Sequence, residues 1–333
     1  MTVPHDDFIP PADPLQDLLE TLDLEDLGSA KVSISPTGLS EGLTPGVEVP
    51  EIFADDFRLF RGKSQKMPHG RVFGGQVLAQ GVVAAGRTVT GPDPEVPRRL
   101  HSLHAYFMRP GDDTQPITFA VERMRDGRSF STRRVHALQH GKPILSMSAS
   151  FQDITGGIDH QDEMPVVPPP DEVPTLSDSL GFLFDVDERA RQLSFARPVE
   201  MRHVEGNLFV MPGHERVAKN HVWMRTVGEL PDDPLIHEAV LAYASDYSLL
   251  EPALRRHGLS WNDKGMRVAS LDHAMWFHRP ARADEFILYA QESPSAQGSR
   301  GMAIGRIFTV DGTLAATVAQ EGMMRVPGAD ARS

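Results

Sequence analysis

There is no cysteine among the 333 residues of this chain, which removes disulfides, thiolate metal sites and a cysteine nucleophile together. Long apolar runs are missing as well. None approaches the ~18 residues of a membrane-spanning helix, so no membrane insertion is expected. Basic residues are the minority, 33 Lys and Arg against 46 Asp and Glu. A net charge of −13 does not supply the basic face of a general nucleic-acid binder, although it leaves room for a local patch facing a phosphorylated ligand. The N-terminus lacks the basic-then-apolar order of a secretory signal, and Ala331-Arg332-Ser333 is not a peroxisomal Ser-Lys-Leu tail. A cytoplasmic location is the expectation. With 40% hydrophobic and 24% charged residues, the chain has ample material for a core.

What is present is a repetition. His101-Ser-Leu-His-Ala-Tyr-Phe-Met-Arg-Pro110 and Val268-Ala-Ser-Leu-Asp-His-Ala-Met-Trp-Phe-His-Arg-Pro280 both read as a strand that fills with aromatics and ends on Arg-Pro. Laying Arg109 on Arg279 fixes an offset between the two stretches. The same offset brings Gly74-Gly75-Gln76, which opens an apolar helix, onto Ala244-Ser245-Asp246, inside another apolar helix. It carries Gly141 to the position just before Gly312, each in a turn between strands. One helix and a following sheet have been used twice, and the copies differ in the polar residue on the helix.

In chain order, residues 1–14 are expected to be disordered, and Leu15 to Leu27 to form a short amphipathic helix. Residues 28–51 read as a Gly- and Pro-rich loop. Its Gly38-Leu-Ser-Glu-Gly42 has the form of a nucleophile elbow but not the flanking strand and helix that an elbow requires. A strand ends at Gly62, and a helix buried all round runs from Gly74 to Gly86. Strands follow at 100–108, 117–124, 129–139 and 144–151, separated by turns as in an antiparallel meander. A Pro-rich linker covers 155–175, with a helix over 176–193. The second copy has strands at 198–204 and 222–230, a helix over 237–251, and strands at 268–278, 286–293, 301–309 and 313–324. The domain reading is therefore an N-terminal segment (1–50), a first repeat (51–154), a linker and helix (155–196) and a second repeat (197–328).

Val72-Phe-Gly-Gly-Gln76, the two Arg-Pro strands, Tyr243-Ala-Ser-Asp246, Leu271-Asp-His273 and Gln320-Glu-Gly322 occur in an order that resembles the acyl-CoA thioesterase II (TesB-like) family, over roughly residues 55 to 326. The resemblance implies an α+β tandem (double) hotdog, two antiparallel sheets each wrapped around a long central helix. It implies hydrolysis of an acyl-CoA to a fatty acid and coenzyme A, with no cofactor. The partner is then the acyl-CoA, and a homo-oligomer (dimer or tetramer) is expected. The catalytic water would be held by Asp246, Ser270 and Gln320, with Ser270 standing where better-known members carry Thr. Serine keeps the hydroxyl and loses the methyl that fixes the rotamer.

A thioester carbonyl is electrophilic enough to dispense with a covalent nucleophile, so Asp246 suffices as general base. The N–H groups of Gly75 and Gln76 are candidates for the oxyanion, and Phe73, Phe107 and Trp276 for the acyl chain. Asp272 is a rival base, expected on the side of the strand away from Ser270. His101, His104, His273 and His278 have strand spacing but no accompanying carboxylate cluster, so they read as packing residues, with no metal. Two other functions are compatible: an acyl-CoA hydratase of the same fold, whose Asp-His motif is not found, and a catalytically weak acyl-CoA binding protein.

Overall fold

The structure is a computed structural model that describes residues 9–31, 56–68, 70–91, 97–179, 197–208, 215–261 and 263–326. Thirteen strands form one sheet in which every pairing is antiparallel. Its first half comprises β1 (Glu25–Lys31), β2 (Asp56–Gly62), β3 (Arg99–Phe107), β4 (Ile117–Asp126), β5 (Phe130–Gln139) and β6 (Lys142–Gln152). The second comprises β7 (Val199–His203), β8 (Lys219–Thr226), β9 (Arg267–Ser270), β10 (Asp272–Phe277), β11 (Ile287–Gln297), β12 (Arg300–Thr309) and β13 (Leu314–Arg325). The order β1-β2-β4-β5-β6-β3-β10-β13-β12-β11-β8-β7 reads the same outward from its centre on both sides, with β9 paired to β13.

The centre is the β3–β10 pair, and its register carries the repeat. His104 lies opposite Ala274, its own counterpart at the Arg109–Arg279 offset, and the flanking pairs Leu103–Met275 and Ala105–His273 are symmetric about it. A local two-fold axis therefore passes through this pair. Outward, Ser148 lies opposite His104 and Ala319 opposite Ala274. These two are counterparts after a slip of a single position, the same slip that separates Gly141 from Gly312.

Four α-helices accompany the sheet among the elements described. Helix α1 (Pro14–Leu22) is capped by Asp13, whose carboxylate accepts the Gln16 N–H at 2.9 Å. Helices α2 (Gly74–Gly86) and α3 (Pro234–Ser245) are apolar nearly all round, so each buries almost every side chain. They lie antiparallel. A Cβ on Gly75 would stand 2.3 Å from the Tyr243 carbonyl, and one on Gly86 would stand 2.5 Å from Leu235 Cδ1. Glycine at both ends thus lets the helices touch. Together with Leu103, Ala105, Met147, Met275, Ala303 and Val318 from the strands, they form the main core. A short α4 (Glu251–His257) follows α3, and no described helix is long and apolar enough to cross a membrane.

Three expectations need correction. The stretch read as helix to Leu27 and loop from 28 is helix only to Leu22, and residues 25–31 form β1, paired with β2. As an edge strand with a register shift between Asp26 and Gly28, it needs no apolar alternation. The helix offset is also shorter than that of the strands. Pro234 opens α3 as Gly74 opens α2, and Ala244-Ser245-Asp246 ends its helix rather than matching the start of α2. A uniformly apolar run hides where a helix begins. The Asp233-Pro234 start, with Asp233 capping Leu235 N–H at 2.9 Å, was the available signal. Finally, the strand read as 268–278 is broken at Leu271.

The linker is docked on the second half. Trp223 Nε1 donates to the Pro168 carbonyl at 2.9 Å, and Gln161 bonds Gly312 and Leu314 of the β12–β13 connection. The Gly38–Gly42 motif and residues 180–196 lie outside the described residues, as do residues 1–8. The rest of the stretch expected to be disordered includes the cap and first residue of α1.

Candidate active site

Three elements deliver the expected triad to one point. Asp246 is the C-cap of α3, Ser270 ends β9 and Gln320 lies in β13. Asp246 Oδ1 accepts from Ser270 Oγ at 3.1 Å and from Gln320 Nε2 at 3.0 Å, and Gln320 Nε2 also donates to Ser270 Oγ at 2.5 Å. The residues were named from three distant parts of the chain, and they form one closed hydrogen-bonded triangle.

A bulge builds the site. Ser270 pairs with Gly322 and Ala274 with Ala319, so four steps along one strand face three along the other. The extra residue resets the alternation of side chains. Ser270 and His273, an odd number apart, therefore both reach Gln320. Asp272 is drawn to the opposite strand, where its carboxylate accepts the Glu321 N–H at 2.8 Å, outside the triangle.

Asp246 sits between two helix ends. It follows the carbonyl end of α3, which disfavours its charge, and faces the amide end of α2, which favours it. The Gly75 N–H bonds to the Asp246 carboxylate, and a Cβ on Gly74 would come within 2.6 Å of Asp246 Oδ2. Burial raises the Asp246 pKa to about 6 against the opposing pull of the Gln320, Ser270 and Gly75 donors. The residue as a whole is partly exposed, while its carboxylate is buried among these donors.

The remaining expected site residues divide. Phe107, at the end of β3, lies against Gly74, with Cε1 3.0 Å from the position a Cβ would take. Phe73 stacks on Tyr247 at 4.7 Å and meets Tyr243 edge-on at 5.1 Å, making an aromatic wall beside Asp246. Gly75 is at the site, with its N–H on the Asp246 carboxylate, whose charge it favours. Gln76 has a buried side chain that accepts from Gln65 N–H and donates to Lys63 O and Gln80 Oε1; its backbone precedes the first intrahelical bond, Val77 N–H to Phe73 O. Trp276 is not brought to the triangle. His273 and Met275 are buried, so alternation turns Trp276 the other way. It is 36% exposed and packs edge-on against His104, away from the triangle.

Sequence reasoning missed His273, fully buried and 2.6 Å through Nδ1 from Gln320 Oε1. The repeat held a signal for it. At the strand offset, Ser270 and His273 fall on Leu100 and Leu103, and after the single-position slip Gln320 falls on Ala149, all buried. The bulge recurs there too, between Leu100 and Ser102. The first copy has the same backbone and an apolar filling. The other three histidines make separate contacts, His101 with Ser150, His104 with Trp276 and His278 with Thr317.

Comparison with known proteins gives the family. A family model described as acyl-CoA thioesterase matches residues 192–323, and one described as the acyl-CoA thioesterase N-terminal domain matches residues 63–152. The chain is 44% identical over 284 residues to acyl-coenzyme A thioesterase 8 of Homo sapiens, covering 81% of this chain and 86% of that one. It is 41% identical over 273 residues to acyl-CoA thioesterase 2 of Haemophilus influenzae, covering 81% and 93%. Among solved structures, the acyl-CoA thioesterase II TesB2 of Mycobacterium marinum aligns with a TM-score of 0.66 at 39% identity, over 93% of this chain and 99% of that one. A hot dog fold protein from Alicyclobacillus acidocaldarius aligns at 0.64 with 21% identity, over 81% and 94%, a likeness of fold. By its relatives and the two family models, the chain belongs to the acyl-CoA thioesterase family.

Proposed function

We propose that this chain hydrolyses acyl-CoA thioesters to a carboxylic acid and coenzyme A, within a tandem hotdog whose two central helices are α2 and the α3–α4 pair. The observation that carries this reading is the Asp246–Ser270–Gln320 triangle, closed by three hydrogen bonds. A carboxylate with a pKa of about 6 is ionised near pH 7 yet basic enough to take a proton from water as that water attacks. Ser270 and Gln320 orient the water toward the thioester carbonyl. Attack forms the C–O bond and places negative charge on the carbonyl oxygen. The Gln76 N–H at the amide end of α2 is the remaining backbone candidate to receive it. Collapse breaks the C–S bond, and the leaving thiolate recovers the proton held by Asp246. A thiol with a pKa near 8.5 leaves readily, so no further acid is required. The acyl chain runs against Phe73 and Phe107.

The test is thiol release from a panel of straight-chain acyl-CoAs by wild type and Asp246→Asn. Turnover lost in the variant, with the fold retained by circular dichroism, is the expected outcome. Near wild-type turnover in Asp246→Asn would sink the proposed base.

A further inference from the structure

Gln320 can serve Asp246 and Ser270 only if its amide sits one way round. With the NH2 toward them it donates to both, at 3.0 and 2.5 Å. Turned over, it would aim a carbonyl oxygen at a carboxylate, and it could bond Ser270 only by taking the hydroxyl proton that now goes to Asp246. The two orientations have nearly the same shape, so packing alone does not choose between them. The choice is made from behind. His273 Nδ1 lies 2.6 Å from Gln320 Oε1, and His273 Nε2 lies 2.9 Å from Ser245 Oγ.

We propose that His273 is a positioning residue: as the neutral Nδ1–H tautomer it donates to Gln320 Oε1 and so locks the amide with its NH2 toward Asp246 and Ser270. This deepens the water-activation reading and rests on it. The ring is fully buried, and burial lowers its pKa to about 4, so it stays neutral wherever the enzyme would work. In a neutral imidazole one nitrogen donates and the other accepts. With Nδ1–H spent on Gln320, Nε2 takes the hydroxyl proton of Ser245, on the last turn of α3 beside Asp246, in place of its other acceptor at the same 2.9 Å, the Ala242 carbonyl. A directional chain then runs from Ser245 O–H to His273, from His273 N–H to Gln320, and from Gln320 N–H to Asp246. The helix that carries the base thus orients the amide that serves it.

The titratable groups against Asp246 are Tyr247 beside it on the chain, Tyr289, whose hydroxyl donates to the Ser245 carbonyl, and His273 behind Gln320. Burial raises both tyrosines and lowers the histidine, so none is charged near neutral pH. The low-pH limb of the rate therefore reports Asp246. Gln320 lowers the pKa of Asp246, and a turned amide would raise it.

The experiment compares thiol release across pH for wild type, His273→Leu, His273→Asn, Gln320→Leu and the His273→Leu/Gln320→Leu double variant, with Asp246→Asn alongside. Asparagine keeps an N–H near the place of Nδ1, and leucine removes it. For His273→Leu, kcat should fall on the order of 10²-fold with KM little changed, and the acid limb should move to higher pH. His273→Asn should recover most of the loss, and the double variant should be no worse than Gln320→Leu. An unmoved limb, losses that multiply in the double variant, or His273→Asn as impaired as His273→Leu would each overturn the proposal. If His273→Leu does not fold, His273→Asn decides with the ¹⁵N shifts of the wild-type ring: an Nε2–H tautomer there overturns it. Asp246→Asn inactive with His273→Leu fully active defeats this inference alone. An active Asp246→Asn defeats the water-activation reading beneath it.

Discussion

Asp246 is held at a thermodynamic cost that the proposed water activation uses. Its pKa is raised to about 6 from an ordinary 3.8. Between those values the folded state binds the proton more tightly than the unfolded chain does, so stability from this residue is present at low pH and declines as pH rises through 6. The full decline amounts to up to about 3 kcal/mol. Asp246→Asn lacks this titration. Its melting temperature should therefore gain on wild type between pH 4 and pH 7.5, while its kcat falls on the order of 10³-fold; scanning calorimetry at the two pH values checks the first half. Ser270→Ala removes one donor to the carboxylate and should move the acid limb of kcat/KM upward. Ser270→Thr, which adds only a methyl, should leave that limb in place, and a pH–rate profile of each variant distinguishes the two outcomes. At this scale the sequence showed the triangle through family resemblance, whereas His273 was hidden because a histidine in a strand has no local mark of what lies behind it. Comparing inward positions of the two copies, His273 against Leu103, would have exposed it.

Elements meet at the site through helix ends and a bulge. Gly74 is required by closeness: a Cβ there would stand 2.6 Å from Asp246 Oδ2 and 3.0 Å from Phe107. Gly74→Ala should displace the carboxylate and cost on the order of 10²-fold in kcat, even though alanine suits a helix better than glycine. Steady-state kinetics beside a thermal melt separate the two effects. Most strands were legible because apolar alternation and glycine turns are local signals. Strand β1 was not, since Glu25-Asp-Leu-Gly-Ser-Ala-Lys31 offers only Leu27 and Ala30 as apolar side chains and gains its structure by pairing with β2. The bulge after Ser270 was not legible either. Such a slip arises from register between distant strands, and it turns Trp276 away from the triangle and His273 toward it.

Across the whole molecule, the two halves share a sheet at β3–β10, a helix pair at α2–α3, and a buried ion pair in which Arg99 Nε donates to Glu238 Oε1 at 2.7 Å. They should unfold together, and a single calorimetric transition is expected; two separable transitions would contradict this. Glu238 has its pKa raised to about 7 by burial, against the pull of Arg99. Arg99→Ala should therefore destabilise the protein more at pH 8, where the wild-type pair is charged and its attraction is lost, than at pH 6, where Glu238 is mostly protonated in either protein. Urea unfolding at both pH values reads the difference.

The two-fold axis through His104 and Ala274 has a consequence for inheritance. Two separate identical subunits around such an axis would carry two identical crevices, and a substitution in one would appear in the other. Joined in a single chain, the crevices are free to diverge. One opens Gly74 onto Asp246, while the other brings Leu235 onto Gly86 and fills its strands with Leu100, Leu103 and Ala149. Joining the halves in one chain thus lets one repeat be filled as scaffold while the other carries the Asp246 triangle.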